Sequence, residues 1–192
     1  MNTVEDFLKV KPTNLDVLEG RILIAVPFYN DPFFNRSVVL LTDYDDKNCV
    51  GLILNKKSTY RLQDLLPEIK IKESLYFGGP VVEKMIFAVH NFPSPNFSKL
   101  LPGIYTGFDD NLLKMVEENP NSEIDFKFFI GYSGWYPGQL QQEIEQNMWV
   151  VGNANPDLIF KTEPHKIWEN AVINLGEEYL HWLQVPEYLS YN

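Results

Sequence analysis

Apolar positions form short unbroken runs in the first half of the chain and recur every three to four residues in the second, which predicts strands followed by helices. Residues 21–26, 37–42 and 50–54 are β-branched or aliphatic runs bounded by Gly, Pro, Asn or Asp, the pattern of central strands buried on both faces. Asp43-Tyr44-Asp45-Asp46-Lys47-Asn48 lies between the second and third runs and has the composition of a tight turn, so a hairpin is expected there. Further strands are predicted over 75–77, 85–89, 104–106, 126–130 and 149–151. Helical spacing begins with a short turn through Leu62, Leu65 and Leu66, ended by Pro67. It continues in a helix capped by Asp109 or Asp110, carrying Leu112, Leu113, Met115 and Val116 and stopped by Asn119-Pro120. Residues 138–146 follow Pro137 and bury Leu140 and Ile144. The longest helix is expected over 163–175 with Gly176 beyond its end, and a last helical turn runs through Tyr179, Leu180 and Leu183 before Pro186.

No repeat, low-complexity tract or flexible linker interrupts this pattern, so residues 1–192 read as one domain, with 1–19 an N-terminal extension and 177–192 a C-terminal helical tail. Residues 91–107 contain Pro93, Pro95 and Pro102 but also Phe92, Phe97 and Leu100-Leu101, which suits a covering loop packed on the sheet. The predicted fold class is α+β, with a largely antiparallel sheet and helices against it.

Composition narrows the class without naming a chemistry. At 45% hydrophobic and 22% charged residues, the 192-residue chain buries a core with no need of a metal or disulfide, and Cys49 is the single cysteine. Residues 1–19 are acidic and no run of about 18 apolar residues occurs, so neither a signal peptide nor a membrane span is expected and the location reads as cytoplasmic. A formal charge of −10 opposes duplex DNA, and Lys56, Lys57, Arg61, Lys70 and Lys72 are interspersed with Asp64, Glu68 and Glu73, so direct DNA binding is not expected.

The motifs are weak ones. Gly131-Tyr132-Ser133-Gly134-Trp135 approaches a Gly-x-Ser-x-Gly nucleophile elbow, but Trp135 stands where the last glycine is required. A sharp turn that anchors Tyr132 and Trp135 in the core is the better reading. Gly78-Gly79-Pro80 could present backbone amides to an anion or simply form a turn, since no phosphate-loop frame surrounds it. Three scattered histidines, and an Asp43, Asp45, Asp46 cluster without a calcium loop's Gly and Glu, give no metal ligand set. No cofactor is called for. Arg36 and Asn55 stand at the borders of apolar strands, and His90 closes another. Arg36 suits either a ligand carboxylate or an internal salt bridge. With Gly78, Gly79 and His90 they are the candidate ligand-binding residues, expected to border one concavity that fits a small polar or anionic ligand.

Six segments in order resemble the AlgH/YqgE family of bacterial proteins. They are Gly20-Arg21-Ile22-Leu23-Ile24-Ala25-Val26-Pro27, Phe34-Asn35-Arg36-Ser37-Val38-Val39-Leu40-Leu41, Gly51-Leu52-Ile53-Leu54-Asn55, Phe77-Gly78-Gly79-Pro80-Val81, Gly131-Tyr132-Ser133-Gly134-Trp135, and Gly138-Gln139-Leu140 with Glu143 and Trp149. This chain departs from the family in having Asn55-Lys56-Lys57 where Asn-Arg-Pro is usual, and Ser133 where Ala is usual. The resemblance implies a bifurcated, barrel-like sheet with helices packed against it, and it carries the label of transcriptional regulator. The function it implies is a non-catalytic regulatory or binding module, with a small polar ligand or a protein as partner and the oligomeric state left open. The alternative is an enzyme acting on a small polar or anionic metabolite near Arg36, Asn55 and His90.

Overall fold

Ten strands form one sheet in the order β10-β1-β2-β3-β9-β6-β8-β7, with β4 and β5 branching from it. The strands are β1 (Arg21–Ala25), β2 (Val38–Tyr44), β3 (Cys49–Ile53), β4 (Lys57–Arg61), β5 (Ser74–Phe77), β6 (Val81–His90), β7 (Ser98–Leu101), β8 (Ile104–Thr106), β9 (Phe126–Trp135) and β10 (Trp149–Asn153). The helices are α1 (Leu62–Leu65), α2 (Asp110–Glu118), α3 (Gln139–Glu145) and α4 (Ile167–Leu175). This computed structural model describes residues 10–29, 31–118 and 124–186. The predicted stop at Asn119-Pro120, the start of the N-terminal extension and the end of the C-terminal tail lie outside the described residues.

The long strand β9 is where the sheet divides. Its second half pairs antiparallel with β3, Gly51 facing Ser133 and Cys49 facing Trp135. Its first half takes β5 in parallel, Tyr76 facing Phe129, while β6 runs antiparallel along the opposite edge. β3 and β5 therefore share one edge of β9 and part from each other at a fork. Gly78 closes the crotch by donating its N–H to Ile130 O at 2.9 Å and accepting from Ile53 N at 3.0 Å. A Cβ at Gly78 would overlap the carbonyl of Gly131, and one at Gly79 would overlap the backbone of Ser133, so only glycine lets β5 turn into β6 across β9. Opposite them Gly131 has φ +71° and the register of β6 shifts. The alternation of β9 changes face there: Phe129 belongs to one core and Trp135, six residues on, to another.

Three cores result. Helix α4 and the 3-10 stretch Glu177–Gln184 cover one face of β1, β2 and β10, where Ile22, Ile24, Val38 and Leu40 meet Trp168 and Trp182. The other face of the same strands, through Leu23, Ala25, Val39 and Leu41, meets Trp135, Trp149 and Leu140 of α3. Helix α2 buries Leu112, Leu113 and Val116 against Phe128 and Ala88, its N-terminus capped by Asp109, which accepts from Leu112 N at 2.9 Å.

Several expectations are corrected. Residues 131–135 are not a sharp turn but the continuation of β9, and Ser133 is fully buried with its hydroxyl donating to Gly78 O at 3.1 Å. Gly134 lies in ordinary strand, the left-handed glycine being Gly131. The covering loop holds the hairpin β7–β8, β4 had no apolar alternation, and a π-helical turn at Asp157–Lys161 was not predicted although it buries Leu158 and Ile159. The helix expected from 163 begins as a 3-10 turn, Pro164–Lys166, before α4.

Candidate functional site

The five residues singled out from the sequence do not border one concavity. Arg36 and Asn55 do come together. Asn55 Oδ1 accepts from Val38 N at 3.0 Å and its Nδ2 donates to Arg36 O at 2.8 Å, so the amide ties the entrance of β2 to the exit of β3. Beside it Lys56 Nζ donates to Asn35 O at 3.0 Å. These bonds hold Arg36 at φ +49°, a left-handed conformation that a residue with a Cβ adopts at a cost of about 1 kcal/mol or more. Among the described residues the Arg36 guanidinium makes no salt bridge. It lies 4.6 Å from the centre of the Trp168 ring and donates to the carbonyl of Val185, while its buried Nε has no hydrogen-bond partner.

Gly78 and Gly79 are buried in the crotch, and the Gly78 amide is committed to Ile130 O, so this pair is a close crossing and not an anion nest. His90 sits elsewhere again. It pairs with Phe126, four residues or roughly 13 Å along β9 from Ile130 at the crotch. Its ring is fully buried beneath β7–β8, 4.6 Å from Phe97 and stacked at 6.2 Å on Tyr105. Neither ring nitrogen has a hydrogen-bond partner of good geometry. Burial pushes the imidazole below its ordinary 6.5, opposed in part by the backbone of Gly107 and Phe92 and by the charge of Asp109, which leaves His90 a neutral core residue.

The residue that sequence reasoning missed is Lys127, next to Phe126 at the start of β9. It points to the opposite face from His90, toward the fork between β3 and β5. Only 6% of it is exposed, yet among the described residues it has no ion-pair partner. Its Nζ makes one long hydrogen bond, 3.4 Å to Leu54 O at the exit of β3, and lies 4.5 Å from the centre of the Tyr76 ring on β5. Burial, and then the charge of Lys57, push its ammonium down to about 8, while the charge of Glu163 acts in the other direction. Tyr76 is raised by burial and by the charges of Glu73 and Glu163. Lys57 pairs with Tyr76 across β4–β5 and is exposed, whereas Lys127 is buried. A signal was present: Lys127 interrupts the apolar run Phe126, Phe128, Phe129, Ile130.

A half-buried polar cluster is satisfied internally. Glu143 Oε2 accepts the indole N–H of both Trp135 and Trp149 at 2.8 Å, and Oε1 accepts from Gln139 at 2.8 Å. Tyr29 and Phe34 pack edge-on to Trp149, and burial with the Glu143 charge pushes the Tyr29 phenol up to about 12. Two surface cavities, of about 300 Å³ between residues 10–17 and β10 and about 400 Å³ beside Tyr44 and Tyr136, contain none of the five candidates.

A family model described as AlgH-like matches residues 22–180, which include the fork, Lys127 and the Glu143 clamp. The chain belongs to the AlgH-like family. Among AlgH-like relatives, a UPF0301 protein of Bacteroides thetaiotaomicron is 32% identical over 196 residues, covering all of both chains. Another, of Bacteroides fragilis, is 34% identical over 197 residues, again over the whole of both. The solution structure of the AlgH protein from Pseudomonas aeruginosa superposes with a TM-score of 0.70 at 25% identity, covering 87% of this chain and 93% of that one. The crystal structure of protein DIP2367 from Corynebacterium diphtheriae gives a TM-score of 0.75 at 22% identity over 90% and 94% of the two chains, a likeness of fold. The bifurcated sheet with its packed helices is thus the AlgH-like fold. No described helix is long and apolar enough to cross a membrane.

Proposed function

We propose that this AlgH-like protein is a non-catalytic binding module of regulatory role, which takes a small carboxylate- or phosphate-bearing molecule at the fork between β3 and β5. The observation that carries this reading is the Lys127 ammonium, more than nine-tenths buried and, among the described residues, without an ion-pair partner. Taking an unpaired ammonium out of water costs several kcal/mol, which a bound anion offsets. Lys57 at the rim adds a second positive charge, in a chain whose overall charge is −10. Asn55 and the left-handed Arg36 hold the strand ends that frame the fork, and Trp168 supports Arg36 from below. A cytoplasmic setting is part of the same reading, supported by the lone thiol Cys49, which is buried and pushed up to about 12.

Isothermal titration calorimetry with inorganic phosphate and succinate tests it. Saturable binding is expected, weakened at least about tenfold in Lys127→Met and kept within about threefold in Lys127→Arg, because arginine preserves the charge. Absence of binding by either probe, or an unchanged affinity in Lys127→Met, would overturn the reading.

A further inference from the structure

Lys127 has more than a charge to offer. Its nitrogen makes a single 3.4 Å contact with a carbonyl oxygen and meets the face of Tyr76, and among the described residues no carboxylate bonds it. A desolvated lysine beside a second cation is the environment in which an amine becomes a nucleophile, and both conditions are met here by burial and by Lys57. More of such a group is therefore the free amine than of an ordinary exposed lysine.

We infer that Lys127 condenses with the carbonyl carbon of a small aldehyde or ketone bearing a carboxylate or phosphate group, and holds it at the fork as an imine. The inference rests on the anion-binding reading above and specifies the ligand class for that same site. The Nζ lone pair forms a bond to the carbonyl carbon while the carbon–oxygen π pair moves to oxygen, which takes up the proton that nitrogen releases. Loss of that hydroxyl together with the remaining nitrogen proton, as water, leaves the carbon–nitrogen double bond, so carbonyl compound and amine give imine and one water. Lys57 is the rim cation available to the ligand's anionic group. Tyr76 walls the amine on one side, its phenol kept protonated by burial and nearby carboxylates. Glu163 exerts its charge on both Lys127 and Tyr76 without forming an ion pair, which leaves the amine open to reaction.

The test is reductive capture with sodium cyanoborohydride at pH 8, using glyoxylate and pyruvate as probes, read by intact mass and peptide mapping. Lactate, which has the same carboxylate but a hydroxyl in place of the carbonyl, serves as the calorimetric control. The expected result is a secondary amine at Lys127, formed at least about tenfold faster than at the average exposed lysine. It is absent from Lys127→Arg, whose thermal melt is measured beside that of the parent chain as the check on folding. Adducts spread over surface lysines with no preference for Lys127 would overturn the inference. If lactate and pyruvate bind alike and no imine is captured, the imine fails and the anion site stands. If neither binds, both readings fall.

Discussion

His90 shows how a polar residue at a strand end can belong wholly to the core. Its ring lies between Phe97 and Tyr105 with neither nitrogen partnered, so the folded state resists protonation while the unfolded chain accepts a proton near its ordinary 6.5. The contribution of a depressed group is fully present above the unfolded value and is lost as pH falls from there through the folded one. Urea midpoints should therefore drop between pH 7.5 and pH 5.5 by more in the parent protein than in His90→Leu. At pH 7.5 the variant is expected to lie within about 1 kcal/mol of the parent, since leucine removes two unpartnered nitrogens. Equal drops in the two proteins would show that His90 does not supply this dependence. Lys127 sits next to Phe126, the residue facing His90, but on the other face of the sheet, and its burial points it to a ligand instead. Strand-end position alone does not distinguish these cases: alternation decides which face a side chain takes, and packing decides whether it meets ring or cleft.

Among the elements, α3 is joined to the sheet through one carboxylate. Glu143 receives two indole N–H groups and the Gln139 amide, so it fixes Trp135 at the end of β9 and Trp149 at the start of β10 together. Glu143→Ala leaves these donors without an acceptor and should destabilise by about 3 kcal/mol, with less loss in Glu143→Gln, which keeps one carbonyl oxygen. Urea unfolding followed by tryptophan fluorescence measures both, and a loss below about 1 kcal/mol in the alanine variant would refute the clamp. Strands β1, β2 and β3 were legible in the sequence because helices bury both faces of this part of the sheet, leaving runs such as Ile22-Leu23-Ile24-Ala25. Strand β4, Lys57-Ser58-Thr59-Tyr60-Arg61, was hidden because it is mostly exposed and carries no apolar alternation. The strand character of Gly131-Tyr132-Ser133-Gly134 was masked by glycines, which here permit the backbone crossing at Gly78-Gly79 and not a turn. Of the candidate site, the Arg36–Asn55 partnership was legible in their paired positions at strand borders. The fork was not, since it depends on β5 joining β9 in parallel across a long stretch of chain.

For the whole molecule, charge sets what it can approach from a distance. A net −10 repels a polyphosphate, and of the two cations at the fork Lys127 is buried, so they do not form an open face that could track a duplex. Fluorescence anisotropy with labelled duplex DNA at moderate salt should show no saturable binding. Submicromolar, sequence-dependent binding would contradict this and make a nucleic-acid role primary. A regulatory role compatible with that charge acts through a small molecule or a protein surface.

The shared strand β9 also sets a timetable for synthesis. As the chain emerges from the ribosome, β1, β2, β3, β5 and β6 are all made before Phe126–Trp135 arrives to stitch β3, β5 and β6 together, and β1 receives its second neighbour only with Trp149–Asn153. Until then several apolar strands have unfilled edges of the kind that pair with other chains. The branching that brings Lys127 to the fork in the finished molecule therefore postpones closure of the sheet until more than two-thirds of these 192 residues have been translated.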